Sequence, residues 1–339
     1  MPYQKFFLVV LLVLSQFFTA CSGTIAPSNQ FASPPATQAV NLPRKSVQKV
    51  VALTPLTADI LYQLAPNKLV GVPGSKLVSH DPRFKELPAV TSDQTPPNLE
   101  KIIALKPDLV IGARGFHDRA LQKFQELGIQ TLATKVDSWQ ALADLTKNLG
   151  ELVEADPAPL LKHYQTFLTN IPNYNPSALV LVSRQPILAP NKNSWAGDFL
   201  KQFKIKNVAA QLQGNSLQGG YVTLSPEKIL EVNPEVIILV ETGGGIAEQF
   251  KADPFWNQLQ ASKRQRVYVF DYYGLVNPGS IGSIEKAASQ LKEVLLSQAN
   301  ANSGERRLKL RKWNESEFAK IPLKTPEIGM GFVDKFLRF

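Results

Sequence analysis

Ten residues at the ends of apolar runs carry the chemistry this chain can offer. Thr54 and Pro55 follow VVAL, and Gln94 sits in SDQTPPN. Arg114 and Phe116 follow DLVIGA, and Arg184 follows VLVS. Trp195, Tyr221, Glu241 and Tyr272 lie at comparable points further on. In an open α/β sheet, ligands bind beyond the carboxyl ends of the strands, so these loops are the candidate site. Arginine forks onto carboxylate or catecholate oxygens and stacks on rings. Trp and Tyr give broad apolar walls with a polar edge, and Trp195 is the expected fluorescence reporter. The set suits a large anionic or aromatic chelate better than a bare ion.

Other chemistries find less support. The three histidines, His80, His117 and His163, have no ligand spacing, so no metal held by protein alone is expected. His117 reads as a solvated loop residue beside the site, although an axial bond to a haem or cobalamin stays open. His163 reads as structural. GVPGS lacks the G-x-G-x-x-G spacing of a dinucleotide loop, and GGG at 243–245 precedes no clear helix of that kind. There is no G-x-S-x-G elbow and no H-E-x-x-H. The expectation is a binding protein without resident cofactor, not an enzyme.

One passage is written twice: NLEKIIALKPDLVIG at 98–112 and SPEKILEVNPEVIIL at 225–239. Each copy reads as a cap, a helix with Glu100 or Glu227 in its first turn, a proline and a buried strand. A first-turn acid is favourable against the helix dipole by about 0.3–1 kcal/mol. That accounts for each glutamate alone, and not for the pair.

Strand and helix patterns alternate around these copies. KVVAL, KLVGV, PDLVIGA and IQTLAT are short apolar strands; TADILYQLA and RALQKFQELG are helices between them. Continuous apolar strands between helices predict a parallel sheet covered on both faces. Residues 47–138 form this first lobe. Residues 139–176 are a helical link, restarting at Asp156-Pro157. Residues 177–300 form a second lobe of the same kind, from SALVLVS to IEKAASQLKEVLLSQ.

The ends differ. Residues 1–20 have Lys5 and then an apolar run from Phe6 to Leu14, too short to span a bilayer, which reads as a signal peptide. FTAC places the chain's single cysteine, Cys21, where a lipoprotein is acylated. Residues 22–46, rich in Ser, Pro, Thr and Gln, read as a tether. The predicted location is therefore the periplasm or cell surface, lipid-anchored to membrane. The formal net charge is +9, but no basic stripe is interleaved with aromatics, so nucleic acid is not expected as a partner. Residues 305–339 hold nine Lys/Arg against five Asp/Glu, in a basic tail (301–339) without assigned role.

VVALTPLTADILYQLAPNKLVGVPG, LPAVTSDQTPPNLEKIIALKPDLVIGARG and LSPEKILEVNPEVIILVETGG, in that order, resemble the periplasmic binding proteins of ABC importers for ferric siderophores, haem and cobalamin. The likeness runs from about 47 to 298. It implies the class III periplasmic-binding fold: two Rossmann-like α/β lobes with parallel-rich sheets joined by a rigid linking helix, expected as a monomer. Ligand would sit between the lobes. Glu100 and Glu227 match the acids that pair with arginines of the permease dimer, which works with ATPase subunits. A rigid link implies modest lobe closure. A ferric siderophore is the first expectation; cobalamin or haem is the alternative, since PDLVIGARG is close to cobalamin-type members. Two readings of other classes are a nucleotide-cofactor enzyme and a surface assembly lipoprotein.

Overall fold

The computed structural model describes residues 47–92, 95–212 and 219–302. The predicted signal peptide, Cys21, the tether, Gln94 and the tail beyond 302 lie outside the described residues.

The first lobe runs β1 (Val50–Ala52), α1 (Pro55–Leu64), β2 (Leu69–Gly71), the single turn α2 (Lys76–Ser79), α3 (Leu99–Ala104), β3 (Leu109–Ala113), α4 (Asp118–Glu126) and β4 (Gln130–Thr134). Its four strands lie in the order β2-β1-β3-β4, all parallel. The link is helical in two pieces, α5 (Trp139–Leu152) and α6 (Ala158–Phe167). They break where Glu154 turns left-handed at φ 54°. Gly150 permits that turn, because a Cβ there would come within 2.9 Å of the Ala155 carbonyl oxygen. Asp156 then accepts the Ala158 N–H at 2.9 Å and starts the second piece.

The second lobe continues with β5 (Ser177–Leu181), β6 (Ser183–Arg184), β7 (Ile187–Pro190), α7 (Trp195–Gln202), β8 (Lys206–Asn207), β9 (Tyr221–Leu224), α8 (Pro226–Val232), β10 (Val236–Glu241), α9 (Ile246–Lys251), α10 (Gln260–Lys263), β11 (Val267–Asp271), the kinked α11 (Tyr272–Leu275) and α12 (Ile281–Asn302). Its parallel sheet has the order β11-β10-β5-β8. A small antiparallel sheet, β6-β7-β9, lies beside it. Strands β3 and β10 are apolar throughout their buried stretches, as two-sided burial requires.

The two sheets are not separate cores. One buried apolar cluster runs from Val50 and Ala52 through Leu142 and Leu149 of the link to Val236, Ile238 and Leu291. Polar ties add to it at both ends of α5. At its start the Trp139 N–H donates to Asp198 of α7 at 2.7 Å. At its end Lys68, from the first lobe, donates to the Val153 carbonyl at 2.9 Å. Each tie also satisfies or approaches a helix-terminal group that water would otherwise take.

The third tie is the deepest. Asp59 on α1 is 2% exposed. Its Oδ1 accepts from Arg83 Nη1 at 2.7 Å, and its Oδ2 accepts the N–H of Ile281, the first residue of α12, also at 2.7 Å. A carboxylate of the first lobe therefore caps the last helix of the second. Arg83 forks back onto Asp81, with Nη2–Oδ2 at 2.6 Å, and lies over the Tyr62 and Phe84 rings. The guanidinium holds Asp81 below the usual carboxylate range and is itself pushed up by its two acids.

Asp59→Ala leaves a buried N–H without a partner and strips Arg83 of one of its acids. We expect a loss of about 2–4 kcal/mol in urea unfolding. A change below about 1 kcal/mol would show that the tie is not structural.

Candidate ligand-binding site

The loops at the carboxyl ends of both parallel sheets meet. A Cβ on Gly279, which leads into α12, would come within 2.4 Å of the Tyr273 ring and 2.9 Å of Leu77 on α2. Glycine there lets the β2 loop of one lobe touch the β11 loop of the other. The structure sorts the residues singled out in the sequence by what they are already bound to.

Several are spent on the fold. Thr54 caps α1: its hydroxyl takes the Thr57 N–H at 3.3 Å and bonds the Thr57 hydroxyl at 2.7 Å, with Pro55 fixed at the first helical position. Trp195 is a correction to the expectation of a cleft wall. It is 3% exposed and stacks with Trp139 and Phe199 at 6.2 and 5.3 Å. Its indole N–H donates to the Gly274 carbonyl at 2.8 Å. An apolar ring with its one donor satisfied belongs in the core, so Trp195 reports the junction of link and second lobe.

Arg184 is a second correction. Its guanidinium forks onto Asp253, Nε–Oδ2 at 3.0 Å and Nη2–Oδ1 at 2.6 Å, and this partner pushes it further up. The two arginines do not stand free across the site. Glu241 is a third. One carboxylate oxygen takes the N–H groups of Gly243, Gly244 and Gly245 at 2.6, 2.8 and 3.3 Å, and the other takes Ile246 at 3.2 Å. The glycine run is the nest for an internal anion, which is why three glycines stand in a row before α9.

His117 is a fourth, since it is 6% exposed, not solvated. Gly112 makes room for it: a Cβ there would lie 2.8 Å from the His117 Cβ. Its Nδ1 accepts the Ala113 N–H at 2.9 Å, so the ring proton sits on Nε2. Burial pulls its pKa down to about 4, against the opposing charge of Asp118. The ring holds the start of the loop that carries Arg114 and Phe116.

What remains uncommitted is narrower. Arg114 is exposed and has no ion pair with the described residues. Phe116 is 72% exposed and follows a turn at Gly115 with φ 81°. Tyr221 and Tyr272 are half-buried neighbours. Burial pushes both phenols up, and each has another tyrosine beside it, Tyr272 for the first and Tyr273 for the second. Ser75, which precedes α2, has a buried hydroxyl without a hydrogen-bond partner among the described residues. Sequence reasoning passed over Asp253 and Asp59; their neighbours come from 69, 24 and 222 residues away, beyond any local pattern.

Glu100 and Glu227 are exposed and stand in the first turns of α3 and α8. Asn98 and Ser225 cap these helices alike, accepting from the residue three further on at 2.9 and 3.2 Å. The Ser225 hydroxyl also draws the Glu227 carboxyl below its ordinary range.

A family model described as periplasmic binding protein matches residues 50–273. The chain belongs to the periplasmic binding protein family. Its role is that of the substrate-binding component of an ABC importer. It is 28% identical over 247 residues to the uncharacterized ABC transporter substrate-binding lipoprotein YvrC of Bacillus subtilis, a match covering 67% of this chain and 74% of that one. It is 26% identical over 261 residues to the vitamin B12-binding protein of Vibrio cholerae, covering 72% and 89%. Among solved structures, an ABC transporter substrate-binding protein of Listeria monocytogenes superposes with a TM-score of 0.62 at 23% identity, over 74% of this chain and 99% of that one.

The His117 geometry makes stability depend on acid. Unfolded His117 takes a proton below its ordinary value of 6.5, while the folded ring resists until about 4. The unfolded state binds more protons in that window, so stability is full above it and falls as pH drops through it. Urea midpoints measured across the window should fall for the wild type and fall less steeply for His117→Gln. Identical slopes would contradict the buried neutral ring.

Proposed function

We propose that the protein is a lipid-anchored receptor outside the cytoplasm that captures an iron(III)-siderophore-type chelate between its lobes and delivers it to an ABC permease dimer driven by its ATPase subunits. The observation that carries the reading is the meeting of the two sheets' carboxyl-end loops at Leu77, Tyr273 and Gly279. At the carboxyl ends of the two sheets' strands and nearby loops, Arg114, Phe116, Tyr221 and Tyr272 offer one cation, one exposed ring and two phenols, which suits a large chelate rim. A second reading, cobalamin as cargo, is favoured by the relative named as a vitamin B12-binding protein.

Glu100 and Glu227 support the delivery step. Two lobes that meet a two-fold permease need one like contact each, and the two glutamates occupy like positions on like-capped helices. Such charge pairs steer and orient a transient complex more than they tighten it. Cys21 supports anchoring, since it is the chain's single cysteine and follows an apolar leader.

The test is cellular uptake of a chelate beside its binding to purified protein. Glu100→Arg with Glu227→Arg should abolish uptake while the dissociation constant stays within about twofold. Loss of binding in that pair would place the glutamates in the ligand site instead. Cys21→Ser should release the protein from the membrane fraction; full retention would contradict the anchor.

A further inference from the structure

Arg114, Gly115 and Phe116 are exposed one after another, and His117, which follows them, is buried. What the buried ring does there is set by the end of β1. Successive residues of a strand direct their backbone groups to opposite neighbours. Leu109 and Ile111 of β3 face β1: the Leu109 N–H reaches the Lys49 carbonyl at 3.2 Å, and the Ile111 carbonyl takes the Leu53 N–H at 2.8 Å. Arg114 faces β4, through its N–H to the Thr134 carbonyl at 2.8 Å. Ala113 therefore faces the β1 side. Strand β1 ends at Ala52, and the chain turns away into α1 at Pro55. Nδ1 of His117 takes the N–H that β1 no longer reaches, at 2.9 Å. Burial keeps the ring neutral, so this nitrogen is free to accept.

The same ring shapes what the turn displays. The exposed Phe116 ring stands edge-on to the imidazole, with centroids 4.8 Å apart and planes at 85°. The Ala113 carbonyl takes the N–H groups of Phe116 and His117 at 3.2 and 2.8 Å. Asp118 Oδ2 takes the Gly115 N–H at 3.0 Å. Both backbone groups of Ala113 are thus committed to the turn, its N–H to a side chain and its carbonyl to the main chain.

Resting on the reading of this chain as a chelate receptor with Arg114 and Phe116 at its site, we infer that His117 is a positioning residue for the ligand: its Nδ1 stands in for the missing strand and holds the turn so that Phe116 and Arg114 are presented in one arrangement before ligand arrives. Without that bond the Ala113 N–H must seek another acceptor, and the turn shifts or samples several forms. A turn that has to be ordered by its ligand binds it more weakly. A side chain that only filled the space over Gly112 would make no distinction between nitrogen and carbon at that point.

Two variants separate these roles in the full purified protein. His117→Phe keeps a ring and removes the acceptor; His117→Asn removes the ring and keeps an acceptor oxygen close to the position of Nδ1. The readouts are amide hydrogen exchange by NMR at Ala113, with Val110 of the same strand as reference, and calorimetric titration with a neutral ferric tris-hydroxamate and with cyanocobalamin. Stability falls in both variants. We expect exchange at Ala113 to quicken by about tenfold or more relative to Val110 in His117→Phe, and to stay within about threefold of wild type in His117→Asn. The chelate that wild type prefers should bind about tenfold or more weakly to His117→Phe and within about threefold of wild type to His117→Asn. Equal loss of affinity in the two folded variants would overturn the inference, as would wild-type affinity or wild-type exchange in folded His117→Phe. Binding of neither chelate by folded wild type would overturn the receptor reading, and the ligand role of His117 with it; the exchange result distinguishes that failure from a turn that His117 does not hold.

Discussion

Everything at the site depends on Asp59. One buried carboxylate receives an arginine of its own lobe and the first N–H of the other lobe's last helix. A buried carboxylate costs several kcal/mol to desolvate unless its partners are in place, so the geometry that supplies them is held tightly. Those partners come from opposite sides of the link. The tie therefore fixes where α12 begins, and with it the short path from β11 through Tyr272, Tyr273 and Gly279. The ties at the two ends of α5 act in the same sense. The lobes are braced by a shared core and by three polar contacts, and the loops that meet at Leu77 and Gly279 are positioned by that brace.

The brace and the chemistry of the loops follow one logic. Two charges of the strand-end loops are matched within the protein itself, Arg184 by Asp253 and Glu241 by a glycine nest.

Local pattern made much of the architecture legible. Continuous apolar strands, capped helices and the duplicated passage indicated two parallel-sheet lobes, and both sheets have the parallel order. The capped starts at Asn98 and Ser225 were readable because a cap and its acceptor lie three residues apart. The small antiparallel sheet was not read, since β6 has only two residues and no alternation to show. At the site, residue type suggested function where long-range contact decided otherwise. Trp195 looked like a wall because it follows a loop, yet its helix turns it into the core. Arg184 looked free because Asp253 is 69 positions away. Arg114 and Phe116 are exposed, as their loop positions suggested.

The central claim is that ligand enters between lobes already braced in position. Small-angle X-ray scattering of the purified protein, with and without a saturating chelate, tests this most directly. The account predicts a radius of gyration that is unchanged within error, with differences confined to wide angles. A marked fall in radius of gyration and maximum dimension on binding would mean that the lobes swing shut, and would contradict the brace.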